Sequence, residues 1–209
     1  MRSPVFDYRA LRLAMGIIAL ALPFVVSFVA APVRLSSISA SYFTHARDVF
    51  VGMLCVVSAF MWAYNGHSAR EGVASKVAAL AALLVALFPT SCDGCAPTQS
   101  SWIHYVAAAV LLSVLAYFCL GPFLGGTRGQ PGKKRLRAFA YRVCGWTMIG
   151  CLVVMVAAKF VLSPQQVAVW QITYWGETIA LGAFGIAWIV SGKSLALFAD
   201  EREKLHLFR

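Results

Sequence analysis

Long apolar blocks separated by short connections that hold most of the charge are what most limits the fold of this chain. A helix crossing a bilayer needs about 20 mostly apolar residues, and this sequence supplies stretches of that kind repeatedly. The 209 residues are 60% hydrophobic and 12% charged, against about 45–50% and about 25% in a typical soluble domain. Little sequence is left for a separate soluble unit. The expectation is an all-α polytopic membrane protein, one transmembrane domain over 1–209, with six spans at about 11–31, 48–64, 73–88, 102–120, 138–162 and 167–190.

Punctuation between the blocks supports these bounds. Pro32, Pro89, Gly121-Pro122 and Ser163-Pro164 stop helices, because proline lacks a donor N–H and clashes with the preceding turn. Asn65-Gly66 suits a helix end. The first block resembles a signal peptide in its leading Arg2, Arg9 and Arg12, but Leu13–Ala31 is longer than the usual apolar region of such a peptide. It is read as a retained span. The tail from Lys193 to Arg209 mixes charge with Leu195, Leu197, Phe198, Leu205, Leu207 and Phe208, a pattern for a short amphipathic helix on the membrane surface.

The net charge is +10. In a soluble protein that excess would suggest nucleic acid. Here the basic residues alternate with apolar blocks, no nucleic-acid module is present, and Lys and Arg are read as setting topology. Arg2, Arg9, Arg12, Arg70, Lys76, Arg128, Lys133, Lys134, Arg135, Arg137, Lys193, Arg202, Lys204 and Arg209 fall on one side; Arg34, Arg47 and Lys159 fall on the other. The richer side faces the cytoplasm. Both termini are therefore expected in the cytoplasm, and the membrane is expected to be a bacterial inner (plasma) membrane. The glycine-rich connection from Gly125 to Arg137 carries Lys133, Lys134, Arg135 and Arg137; it either serves topology alone or binds anionic lipid headgroups.

The outward side is rich in polar groups. Glu177 stands about ten residues into the last span, roughly 12–15 Å below its outer end at ~1.5 Å per residue. A carboxylate at that depth is costly and faces a cavity or a partner. Gln171 and Tyr174 lie with it along the outer half of that span, and Tyr174 and Thr178 fall at helical spacing. One reading is an outward cavity lined by Ser37, Ser39, Arg47, Asp48, His104, Gln171, Tyr174 and Glu177. The other is that Glu177 pairs with Arg47, or bonds Ser and Tyr groups, and only fixes packing. Asp48 also suits a helix N-terminus, and His104, between Trp102 and Tyr105, suits an interfacial aromatic belt.

The outward polar groups and cysteines also raise metal and redox chemistry. His45, Asp48, His104 and Glu177 are suitable zinc ligands, and a bound metal could activate water against a lipid ester or amide. No local pair has a metal-site spacing such as HExxH, so no cofactor is expected. Cys92 and Cys95, in CxxC spacing within an outward loop, form either a loop-stiffening disulfide or a redox dithiol. A thiol oxidase would need a second outward pair, whereas Cys55, Cys119, Cys144 and Cys151 lie within spans. His45, His67, His104 and His206 lie at or beyond helix ends, which argues against a transmembrane haem.

The stretches Ser37-Ile38-Ser39-Ala40-Ser41-Tyr42, Arg47-Asp48-Val49-Phe50-Val51-Gly52, Ala86-Leu87-Phe88-Pro89-Thr90 and Tyr141-Arg142-Val143-Cys144-Gly145-Trp146, with the helix of Trp175 and Glu177, cover much of the chain. They resemble a widespread group of small bacterial membrane proteins of unknown function, similar in style to the Frag/DRAM/Sfk group. The resemblance implies six helices and an outward polar loop, and no activity. In that group a histidine follows the first-loop tyrosine; here Phe43 does, with His45 two positions on. The expected function is non-catalytic: an outward pocket for a lipid or small molecule, or an accessory subunit of a membrane complex. Alternatives are a metal-assisted lipid hydrolase and a proton- or cation-coupled transporter.

Overall fold

The computed structural model describes residues 8–92, 95–127, 132–193 and 198. Among these residues the chain forms seven α-helices and no strand: α1 (Tyr8–Ala30), α2 (Arg47–Ala63), α3 (Ala69–Leu87), α4 (Gln99–Phe118), α5 (Lys133–Val161), α6 (Pro164–Val169) and α7 (Ile172–Ser191). A 3-10 turn, Ser39–Phe43, lies between α1 and α2, and a π-helical turn, Cys119–Phe123, extends α4. Arg9–Ala30, Gln99–Phe123 and Lys133–Val161 are long and apolar enough to cross a membrane. The other long helices are less clear-cut. α2 has 17 residues, α3 opens with Arg70, Glu71 and Lys76, and α7 carries Glu177 among Thr173, Tyr174 and Thr178.

Each long helix packs on its neighbour in sequence, and α7 packs on both α5 and α1, which closes a ring. At the α1–α7 seam the two backbones approach closely. A Cβ on Gly185 would stand 2.8 Å from the Gly16 carbonyl oxygen and 2.7 Å from Leu20 Cγ, and one on Gly16 would stand 2.7 Å from the Gly185 carbonyl oxygen. Close backbone approach at small residues is how helices associate where lipid removes the hydrophobic driving force.

The core falls into two parts. One, toward the α7 C-terminus, gathers Met15, Met61, Tyr64, Phe118, Phe123, Tyr141, Met148, Phe184 and Trp188, with Phe198 packed against it. The other, toward the α1 C-terminus, gathers Leu22, Val26, Leu35, Ile38, Phe50, Leu54 and Val85.

The structure corrects three expected boundaries. The last block, expected as one helix over 167–190, is two: α6 starts at the Ser163 cap, with Pro164 in its first turn, and Gln171 turns left-handed (φ 50°) before α7. Ser163 accepts from the Gln166 N–H, so the proline that ends α5 also begins α6. The expected stop at Gly121-Pro122 is passed as a π turn, which absorbs the carbonyl that proline displaces. The Lys133–Arg137 run is not a connection but the opening of α5. Arg137 there is buried, at 3% exposure, and Arg135 is exposed. The expected amphipathic tail helix lies almost wholly outside the described residues.

Candidate functional site

Gln171, at the cap of α7, and Tyr174 and Glu177, near its N-terminus, bond to α1 and to the segment that follows it. Gln171 Nε2 donates to the Leu35 carbonyl at 2.8 Å, and its Oε1 accepts from Arg34 Nη2 at 2.7 Å. Tyr174 shares a 2.9 Å hydroxyl bond with Ser27 of α1, which in turn donates to the Pro23 carbonyl at 2.7 Å. Glu177 Oε2 accepts the Ile38 N–H at 2.5 Å and the Ser39 N–H at 3.3 Å, while Oε1 accepts from Ser39 Oγ at 3.2 Å. Residues three apart on a helix share a face, so Gln171, Tyr174 and Glu177 act as a strip along which the coil is laid.

The coil needs such acceptors. Ile38 and Ser39 are buried, and buried backbone donors outside regular structure must find partners. Ser37 Oγ accepts the Ala40 N–H at 2.9 Å, and Thr44 Oγ1 donates to the Ser41 carbonyl at 2.9 Å and accepts the Ala46 N–H at 3.1 Å. Arg47 does not reach Glu177. It donates to the Tyr42 hydroxyl at 2.9 Å and stacks on that ring, 4.4 Å from its centroid.

A second polar group gathers where the C-terminus of α3, the N-terminus of α4 and the C-terminal part of α5 meet. His104 is buried and its Nδ1 bonds the Phe88 carbonyl at 2.7 Å. Phe88 ends α3, and terminal helix carbonyls lack intrahelical partners, so the imidazole joins α4 to the end of α3. The Tyr105 hydroxyl meets Ser91 Oγ at 2.5 Å and Thr90 Oγ1 at 3.2 Å. Lys159 Nζ of α5 lies 3.9 Å from the Tyr105 ring centroid. Beside them Cys92 and Cys95 are joined by a disulfide with Cα atoms 5.2 Å apart.

The single cavity lined by all eight expected residues is not formed. Glu177, Tyr174, Gln171 and Ser39 cooperate, Ser37 braces the same coil, His104 belongs to the second group, and Arg47 and Asp48 are exposed. Asp48 sits in the first turn of α2, where its charge complements the helix dipole. His45 is exposed and His104 is committed to a carbonyl. Among the described residues no three His, Cys, Asp or Glu side chains converge.

Among the described residues a cleft of about 280 Å³ opens beside the coil, bounded by Arg34, Leu35, Ser36, Ala168, Val169 and Gln171. Of the expected pocket residues it includes Gln171. The sequence reading missed Arg34, Ser27, Tyr105 and Lys159 as participants. Lys159 carried a signal: it is the one charged residue between Arg142 and Leu162, on the side where basic residues are sparse. Compared with protein-family models, curated proteins and solved structures, the chain matches none.

Proposed function

We propose that this chain crosses a bacterial inner membrane six times, with both termini in the cytoplasm, and binds a lipid or small amphiphile at its outward end. The six-span reading is supported by the packing of α2, α3 and α7, helices of 17 to 20 residues, in one ring with the three helices of clear spanning character. The distribution of Lys and Arg supports the orientation.

The observation that carries the binding reading is the cleft beside α6. It sets the exposed Arg34 guanidinium and the Gln171 amide against Ala168 and Val169, with Trp170 exposed next to it. A cation and an apolar wall at headgroup depth suit a ligand that is anionic at one end and apolar at the other. Glu177 has a supporting part, because its bonds to Ile38 and Ser39 hold the coil that carries Arg34. The hydrolase alternative gains no support from the arrangement, since its four ligands are dispersed.

The test is thermal unfolding of the detergent-purified protein titrated with dihexanoyl-phosphatidylglycerol, whose short chains present mainly a headgroup. Saturable stabilisation of the wild type that is lost in Arg34→Ala is the expected outcome. No stabilisation, or equal stabilisation of Arg34→Ala, overturns the reading.

A further inference from the structure

A groove of about 440 Å³ runs down the outside of the ring between α3 and α4. Ala81 and Ala107 form its floor, both nearly fully buried, while Leu80 and Val106 stand at its sides, 55% and 61% exposed. It exists because α3 is rich in alanine at this level (Ala78, Ala81 and Ala82) and leaves a trough where larger residues would fill the seam. Its lining is apolar except for Gln99, which lies at the outward end of α4 one turn from exposed Trp102.

We propose that this groove seats one acyl chain of an outer-leaflet phospholipid. The length selects that occupant. From Gln99 to Val110 the α4 wall rises roughly 16 Å at ~1.5 Å per residue, which matches one leaflet of a hydrocarbon core about 30 Å thick. A bilayer-spanning helix runs about 20 residues, longer than this groove, which ends near mid-depth on that scale. The polarity agrees: the single amide and the tryptophan lie at the interfacial end, where aromatic residues collect, and the rest is hydrocarbon-like. The inference rests on the membrane reading above and extends it to a second contact, for the chain rather than the headgroup.

Native mass spectrometry of the detergent-purified protein titrated with dioleoyl-phosphatidylglycerol tests it. Leu80→Phe/Val106→Phe fills the groove from its rim, at side chains that point outward, so the ring itself is left intact. The wild type should take up one lipid saturably, the double variant should bind about tenfold more weakly, a loss of about 1.4 kcal/mol, and Arg34→Ala should keep chain-dependent binding. Equal binding by the double variant and the wild type overturns the groove, and so does absence of a one-to-one adduct. Binding lost in Arg34→Ala but kept in the double variant places the lipid at the cleft alone and also overturns it, while leaving the outward reading in force. Disulfide-linked dimers of a Val106→Cys variant in membranes would assign the groove to a second copy and overturn the lipid.

Discussion

Around the N-terminus of α7 a coil is held by polar side chains; around its C-terminus a guanidinium is held by rings. Glu177 collects two backbone N–H donors and a hydroxyl from residues 139 and 138 positions away in sequence. Arg12 donates to the Tyr64 hydroxyl at 2.5 Å and the Ser191 carbonyl at 3.2 Å, and lies 5.1 and 5.3 Å from the Tyr64 and Phe123 ring centroids. Trp188 packs edge-on against Tyr64, Phe118, Phe123 and Phe184, at 5.4–5.7 Å between centroids. The difference follows from the backbone at each end. Coil leaves donors that need acceptors, so polar side chains are brought to it. Around the α7 C-terminus helices pair most of their own backbone, and Arg12 takes the terminal Ser191 carbonyl while aromatic faces enclose it. A coil held by a few hydrogen bonds opens locally, whereas an interlocked set of rings responds as part of the whole ring of helices.

Three substitutions probe that contrast. The largest effect is expected for Trp188→Ala, which empties a fully buried site among four rings. The loss should be about 3–5 kcal/mol, read as lowered thermal stability of the entire helical signal by circular dichroism. Glu177→Ala comes next. It leaves the Ile38 and Ser39 N–H groups without their acceptor, at about 1–3 kcal/mol per buried group. The effect should be confined to the coil, seen as faster maleimide labelling of a Ser36→Cys probe with most of the helical melt retained. If Trp188→Ala accelerates that labelling as much as Glu177→Ala does, the two ends are one cooperative unit and the contrast fails. Tyr174→Phe should be mildest, at about 0.5–1.5 kcal/mol for one hydroxyl bond, with a small rise in labelling and no shift of the helical melt. A helical melt lowered as far as in Trp188→Ala would show that the Ser27 link braces α1 against α7 throughout.

Much of the helical plan was legible. Pro89, Asn65-Gly66 and Ser163-Pro164 lie at or just beyond helix ends, because the chemistry that stops a helix is local. Ser68 was overlooked: its side chain accepts from the Glu71 N–H, and α3 begins at Ala69 rather than near Val73. The break at Gln171 had no glycine or proline to announce it. Its left-handed turn is held by bonds to Leu35 and Arg34, partners 136 and 137 residues away. Arg12 was legible as a topogenic charge but not as the centre of an aromatic cage, since Tyr64 and Phe123 reach it only when α1 meets the ends of α2 and α4.

Composition, apolar block length and the spacing of breakers determined by themselves that this chain is all-helical, that several helices are suited to a bilayer, and that carboxylates, histidines and serines gather near one set of helix ends. These are properties of short windows, where periodicity and propensity act. Which of those groups meet was decided by tertiary structure alone. Closing α7 onto α1 laid the coil against Glu177, pairing α4 with the end of α3 drew His104 to the Phe88 carbonyl, and Arg47 turned to Tyr42 instead of Glu177. A hydrogen bond needs its atoms about 3 Å apart and aligned, and for residues more than a hundred positions apart that distance is set by how the helices pack.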